Sequence, residues 1–158
     1  MTRFDWFKAA PAAAHALLKL QTYVNDYGLD HALLELVKLR TSQINGCGFC
    51  IDMHTKDARA AGETEQRLYL ASTWREAAHL YSEKEQAALA WTEAVTRVRE
   101  GQVPDDVYAR ARAQFGEADL VALTLAISTT NAWNRLNIAF RRPAGDYQPG
   151  MFKAARSA

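Results

Sequence analysis

Apolar positions recur at helical spacing from one end of this chain to the other, and the strict alternation of a half-buried strand is nearly absent. Pro11 opens a periodic segment that runs to about Asp26, with Gly28 beyond its end. Asp30 is placed to cap a helix over Leu33 to about Gln43, and Asn45-Gly46 reads as the turn that follows. Cys47 or Gly48 then begins a helix that ends near Ala61, where Gly62 supplies a left-handed stop. A shorter helix is expected from Thr64 to about Thr73.

Ser82-Glu83-Lys84-Glu85 has capping-box spacing, and the helix it starts extends to Arg99, with Gly101 ending it. Pro104 suits the first turn of the next helix, which Gly116 closes after Phe115. The final helix runs from about Ala118 to Phe140 and stops before Pro143. These seven helices, with no sheet, predict an all-α fold. A chain of 158 residues holds it as one domain, 1–158, and is too short for two of ordinary size. Leu120, Val121, Leu123, Leu125 and Ile127 make the final helix apolar on nearly all sides, which predicts a central position or burial against another subunit. Gly145 to Ala158 lacks helical periodicity; its Tyr147 and Phe152 suggest packing over the body or a partner.

Charge narrows the partners. Nineteen basic residues against eighteen acidic give a formal net charge of +1, so no overall field draws in nucleic acid or an anionic membrane. The most apolar stretch, Leu120 to Ile127, falls far short of the ~20 residues of a membrane-spanning helix. The Ala-rich run Ala9 to Ala16 is interrupted by Pro11 and His15 and does not form the apolar core of a signal peptide. A soluble, cytoplasmic protein with no nucleic-acid or membrane partner is expected.

Chemistry enters through the only two cysteines, Cys47 and Cys50. A disulfide between residues three apart closes almost no loop and adds little stability, so the pair points to reactivity. A zinc site normally needs four ligands; there is no third Cys, and His15, His31, His54 and His79 form no HxxxH pair, which makes zinc the weaker reading. The thioredoxin setting requires a βαβ unit that the pattern does not contain. A helix start nevertheless favours thiolate in any fold, through its free N–H groups and positive dipole end.

At 100° per residue, Cys50 falls at about 300° and His54 at about 340° from Cys47, so the three share one strip. Ile51, Ala58 and Ala61 lie on that strip, while Gly48, Asp52, Lys56 and Arg59 lie opposite, which predicts that the trio faces inward. His54 reads either as a general base for buried thiols or as a core histidine bonded to a carbonyl; its alignment with both sulfurs favours the base. If Asn45-Gly46 turns the chain into a helical hairpin, Glu35 comes opposite residues 54 to 56 and can orient the imidazole. Geometry alone slightly favours the alternative, a solvated Glu35 paired with Lys38 at i+3.

The string Glu35, then Cys47-Gly48-Phe49-Cys50, then His54 resembles the E-x11-C-x-x-C-x-x-x-H signature of AhpD-like alkylhydroperoxidases, the carboxymuconolactone decarboxylase-type family. Segments around Ser82 to Thr96 and Asn131-Ala132-Trp133-Asn134-Arg135 extend the resemblance over about residues 30 to 150. The resemblance implies an all-helical, AhpD-like domain, a thiol-dependent hydroperoxide reductase and a homo-oligomer, often a trimer or hexamer. It implies Cys50 as the peroxidatic thiol, Cys47 as the resolving thiol, and His54 with Glu35 as the proton relay. Cys50 would pass through a sulfenic acid to the Cys47–Cys50 disulfide, which a lipoyl or thioredoxin-like dithiol would reduce. No cofactor or metal is expected, because sulfur carries both electrons.

The family often has His just before the second cysteine, where this chain has Phe49, which cannot move a proton. Cys47 and Cys50 argue against the cysteine-free decarboxylase branch. Asn131, Asn134 and Arg135 are expected to form a structural network rather than a substrate site, and Trp74, Trp91 and Trp133 to be core or interface aromatics. A redox-responsive regulatory protein is the competing class, and a zinc-binding interaction module comes third.

Overall fold

The structure, a computed structural model, describes residues 2–152. Among them the chain is all-helical, with no strand: α1 (Trp6–Ala9), α2 (Pro11–Asp26), α3 (His31–Asn45), α4 (Gly48–Ala60), α5 (Glu65–Leu70), α6 (Glu83–Thr96), α7 (Asp105–Gln114) and α8 (Glu117–Ala139). This is one helix more than the pattern predicts. The extra element, α1, is a single turn held by the Asp5 side chain, which accepts from the N–H groups of Phe7 and Lys8. Four residues are too few to show a period, so a cap alone marks it.

Caps set the other boundaries much as expected. Asp30 accepts from Leu33 N–H at 2.9 Å to start α3, and both halves of the Ser82/Glu85 capping box are formed at the start of α6. The helix expected to reach Arg99 stops at Thr96 and tightens into a 3-10 turn over Val98–Glu100. The expected 64–73 helix likewise divides into α5 and a 3-10 turn over Ala71–Thr73.

The central element is α3, which packs against α4, α6 and α8. Every residue from Leu33 to Ser42 is buried. The final helix shares the centre: Leu120, Leu123 and Ile127 of α8 join Leu33, Val37, Ala88 and Trp91 in one core cluster, but Val121 and Ile138 are exposed. A second cluster, including Leu36, Leu39, Ala58, Leu68, Trp74 and Leu89, fills the space between α3, α4 and α6. Glu35, Lys38 and Arg40 are buried on α3, and these charges hide its central place from a hydrophobic pattern.

Each of those charges is satisfied inside. Arg40 Nε donates to Glu93 Oε1 at 2.8 Å, Trp74 Nε1 donates to the same oxygen at 3.0 Å, and Arg75 Nη1 donates to Oε2 at 2.5 Å. Burial raises the Glu93 pKa, but the donors from Arg75, Arg40 and Trp74 outweigh it and hold the carboxyl below its usual range. The network ties α3 to α6 without an orphaned ion.

Gly46 closes α3 at φ 71, the left-handed region, so the chain reverses at once into α4. Cys47 N–H secures the turn by donating to Ser42 O at 3.0 Å. At the other end of the chain, Lys56 Nζ donates to the carbonyls of Gly145 and Tyr147, both at 2.9 Å, and Tyr147 OH donates to Asp57 Oδ1 at 2.8 Å. The segment after α8 therefore packs onto α4 as far as Phe152. Residues 153–158 of the expected tail lie outside the described residues. No helix among the described residues is long and apolar enough to cross a membrane.

Candidate active site

Cys47 is the N-cap of α4, and its Sγ accepts from Cys50 N–H at 3.4 Å. A spacing of three on a helical turn brings the second sulfur over the first. The two are joined as a disulfide, with Cα atoms 5.3 Å apart. Both cysteines are 1% exposed. Phe49, Met53, Tyr147 and Phe152 surround them, an apolar setting that raises a thiol pKa. The start of α4 acts in the opposite sense, since its free N–H groups and dipole stabilise thiolate once the bond is reduced.

His54 follows on the same inward strip, buried, with Nδ1 at 2.9 Å from Glu35 Oε2. The other Glu35 oxygen accepts from Lys38 Nζ at 2.9 Å, and Lys38 also donates to Asn25 Oδ1 at 3.1 Å. The two partners that the sequence offers Glu35 are therefore both engaged. The solvated form of that pairing is corrected, because Glu35 is 4% exposed and Lys38 5%. Burial by itself raises the carboxyl pKa, but the charges and hydrogen bonds of His54 and Lys38 prevail and hold Glu35 well below the usual carboxylate range. An ionised carboxylate only accepts, so His54 Nδ1 carries the hydrogen, and Nε2 is left as the nitrogen able to take a proton.

One site residue escaped the sequence reading. Asn137 of α8 is 5% exposed and donates from Nδ2 to Cys50 Sγ at 3.4 Å. Its Oδ1 is buried with no partner among the described residues. This orientation is the one chemistry favours, since a disulfide sulfur has no hydrogen to give and the flipped amide would set lone pair against lone pair. A signal was present: Asn137 lies three residues after Asn134, on the same face of α8.

The other α8 polar groups form a latch. Asn45 Nδ2 donates to Asn131 Oδ1 and Asn134 Oδ1, both at 2.9 Å. Asn134 Nδ2 donates to Ser42 Oγ at 3.1 Å, and Arg135 Nη1 donates to Asn131 Oδ1 at 2.7 Å. This network fixes the end of α3, and with it the turn before Cys47, against α8. Trp74 and Trp91 are buried in the core, and Trp133 stacks on Phe7 with ring centroids 5.8 Å apart.

Phe49, between the cysteines, carries the Arg142 guanidinium over its ring at 4.0 Å. Beside it lies a cavity of about 230 Å³ whose walls include Cys47, Gly48, Phe49, Asn137, Arg141 and Arg142. Cys47 borders this space, whereas Cys50 lies behind Asn137, which is part of the wall.

Comparison with known proteins gives the family and the fold. The model of the Carboxymuconolactone decarboxylase family matches residues 11–94. YdfG of Bacillus subtilis strain 168, an uncharacterized protein, is 42% identical over 137 residues, covering 87% of this chain and 92% of its own. The solved structure of ATU0492 from Agrobacterium tumefaciens, a protein of unknown function with a suggested identity as the antioxidant defence protein AhpD, matches with a TM-score of 0.89 at 43% identity. That match covers 93% of this chain and 100% of the other. The alkyl hydroperoxide reductase AhpD of Bradyrhizobium diazoefficiens is 42% identical over 48 residues, 30% of this chain and 26% of its own length.

Proposed function

The chain belongs to the carboxymuconolactone decarboxylase family, and from that premise we propose that it is a thiol-dependent hydroperoxide reductase of the AhpD type. The observation that carries the reading is the buried His54–Glu35 pair, Nδ1 to Oε2 at 2.9 Å, one turn along α4 from the buried Cys50 of the Cys47/Cys50 disulfide. His54 accepts a proton from the reduced dithiol through Nε2, and Glu35 stabilises the imidazolium that results.

The Cys50 thiolate attacks the terminal oxygen of the hydroperoxide. The O–O bond breaks, Cys50 becomes a sulfenic acid, and the alkoxide leaves with the proton held by His54 as an alcohol. Cys47 then attacks the sulfenic sulfur, the disulfide forms and water leaves. An external dithiol restores the enzyme by exchange.

The unequal surroundings of the two sulfurs support these separate roles. Cys47 borders the cavity and is the sulfur that an incoming thiolate reaches. Cys50 then leaves as thiolate, with the Asn137 Nδ2–H already directed at it, and that sulfur is the next nucleophile. The partners proposed are a small hydroperoxide, a lipoyl or thioredoxin-like dithiol in the reducing cytoplasm, and further copies of the chain in a trimer or hexamer.

Consumption of an organic hydroperoxide with a dithiol reductant, compared between wild type and Cys50→Ser, tests the reading. Activity is expected in the wild type and lost in the variant; equal rates in both would end it. A second reading has one observation in its favour: Tyr147 and Phe152 pack in the same cluster as the cysteines, so opening the disulfide can loosen the segment after α8. A redox regulator would show single-turnover oxidation, no sustained consumption, and proteolysis at residues 145–152 that depends on redox state.

A further inference from the structure

The end of α8 breaks a local rule beside the cysteines. Arg141 N–H donates to Ile138 O at 3.1 Å and Arg142 N–H donates to Asn137 O at 2.9 Å, the bond pair of a Schellman motif, in which the first of these two positions is left-handed. Glycine is the usual residue there because it has no Cβ to clash. This chain has Arg141 at φ 54, the one non-glycine residue with positive φ among those described, a conformation strained for any residue with a Cβ. The strained residue and its neighbour both line the cavity against Cys47.

Neither guanidinium has an ion-pair partner among the described residues. Arg142 is held by aromatic faces instead, over Phe49 at 4.0 Å, Phe152 at 5.2 Å and Phe7 at 5.6 Å. Arg142 is half-buried, and its side chain makes no hydrogen bond among the described residues, although Asp5 is near enough to act on it electrostatically. No Asp or Glu lines the cavity, and the N-terminal residues Gly48 and Phe49 of α4 do, so their free N–H groups add to the positive field. The volume, about 230 Å³, is below the ~300 Å³ at which pockets for drug-sized ligands begin.

We propose that this cavity is a carboxylate subsite, and that the preferred hydroperoxide is a short aliphatic one bearing a carboxylate, held by Arg141 and Arg142 while its peroxide group meets the dithiol. The ligand assignment rests on the peroxidase reading; the anion site does not. Phe49 gains a function in place of the proton chemistry it lacks, as the platform that fixes Arg142 at the mouth. The subsite takes part in no covalent step.

The test pairs 4-hydroperoxy-4-methylpentanoate with its methyl ester and follows single-turnover thiol oxidation of the reduced protein at physiological ionic strength, where long-range steering is screened. Wild type should prefer the acid about tenfold or more, the scale of one charge-assisted hydrogen-bonded pair. Arg142→Met and Arg141→Gly should each bring the acid-to-ester ratio several-fold toward one, with the ester as internal control for folding. Arg141→Gly should also raise Tm by relieving the backbone, so lost selectivity there is not misfolding. Equal acid and ester rates in wild type, or a ratio retained in the double variant, would overturn the proposal.

Two further arms separate the possibilities. Reduction of the disulfide by dihydrolipoate against dihydrolipoamide asks whether the carboxylate belongs to the reductant; an acid preference confined to that arm overturns the hydroperoxide assignment. Calorimetric titration of hexanoate into the oxidised protein needs no turnover. Binding that both arginine variants weaken, in a protein whose thiols no hydroperoxide oxidises, retains the anion site and rejects the peroxidase reading. Absence of hexanoate binding in the wild type rejects the subsite.

Discussion

Glu35 reaches His54 Nδ1 with one oxygen and Lys38 Nζ with the other, each at 2.9 Å, and all three side chains are buried. One carboxylate thus serves a candidate relay and a structural ion pair, and the two roles can be separated by mutation. Glu35→Gln strands the Lys38 charge in the interior and should lower unfolding free energy by about 3 kcal/mol or more. Adding Lys38→Met removes that orphaned charge and should restore much of the stability. Peroxide-driven thiol oxidation should remain about a hundredfold slow in both variants, because His54 has lost its orienting anion. Urea unfolding and stopped-flow oxidation on the same samples check this; recovery of rate together with stability would leave Glu35 a purely structural role.

Stability should fall on acidification. Glu35, Glu85 and Glu93 all have folded pKa values lowered from the ordinary 4.5. A depressed carboxylate contributes stability that is present above its unfolded value and lost as pH falls through its folded one. Asp57 opposes this, because burial raises its pKa from 3.8, so its contribution has the reverse sign. With three carboxylates against one, urea midpoints should hold near neutrality and decline below about pH 4.5, the unfolded carboxylate value. A midpoint that rises on acidification would contradict the signs.

Cys47→Ser removes the resolving thiol and keeps the attacking one. Peroxide should then leave a sulfenic acid on Cys50 that dimedone traps, whereas Cys50→Ser should give no such adduct. Peptide mass mapping reads the labelled position. An adduct on Cys47 in the Cys50→Ser protein, with none on Cys50 in the other, would reverse the two roles.

Asn137→Leu keeps the branched outline and number of side-chain heavy atoms and removes the hydrogen bond to Cys50. The Cys50 thiol should titrate at higher pH in the variant, because a hydrogen bond to the thiolate has been lost. The pH dependence of alkylation in the Cys47→Ser background isolates that thiol. An unchanged profile would show that the amide only fills space.

The sequence by itself determined the helices, most of their caps and the inward strip of Cys47, Cys50 and His54, because these depend on residues within a turn or two of one another. The 3.6-residue period, Asp30, the Ser82/Glu85 box and Gly46 are all local signals. Tertiary structure decided what local signals cannot carry. A hydrophobic pattern reads Glu35, Lys38 and Arg40 as surface, and only the partners brought by α2, α4 and α6 make their burial tolerable, which is why α3 and not α8 alone occupies the centre. Glu35 had two plausible partners in the sequence and proved to have both, since a carboxylate has two oxygens and the fold filled each. Asn137 and Arg142 lie more than eighty residues from the cysteines; the spacing from Asn134 places Asn137 on a polar face of α8, but nothing local says that this face meets Cys50. The CGFC segment named the reactive atoms; the packing of α8 and the segment after it decided what surrounds them.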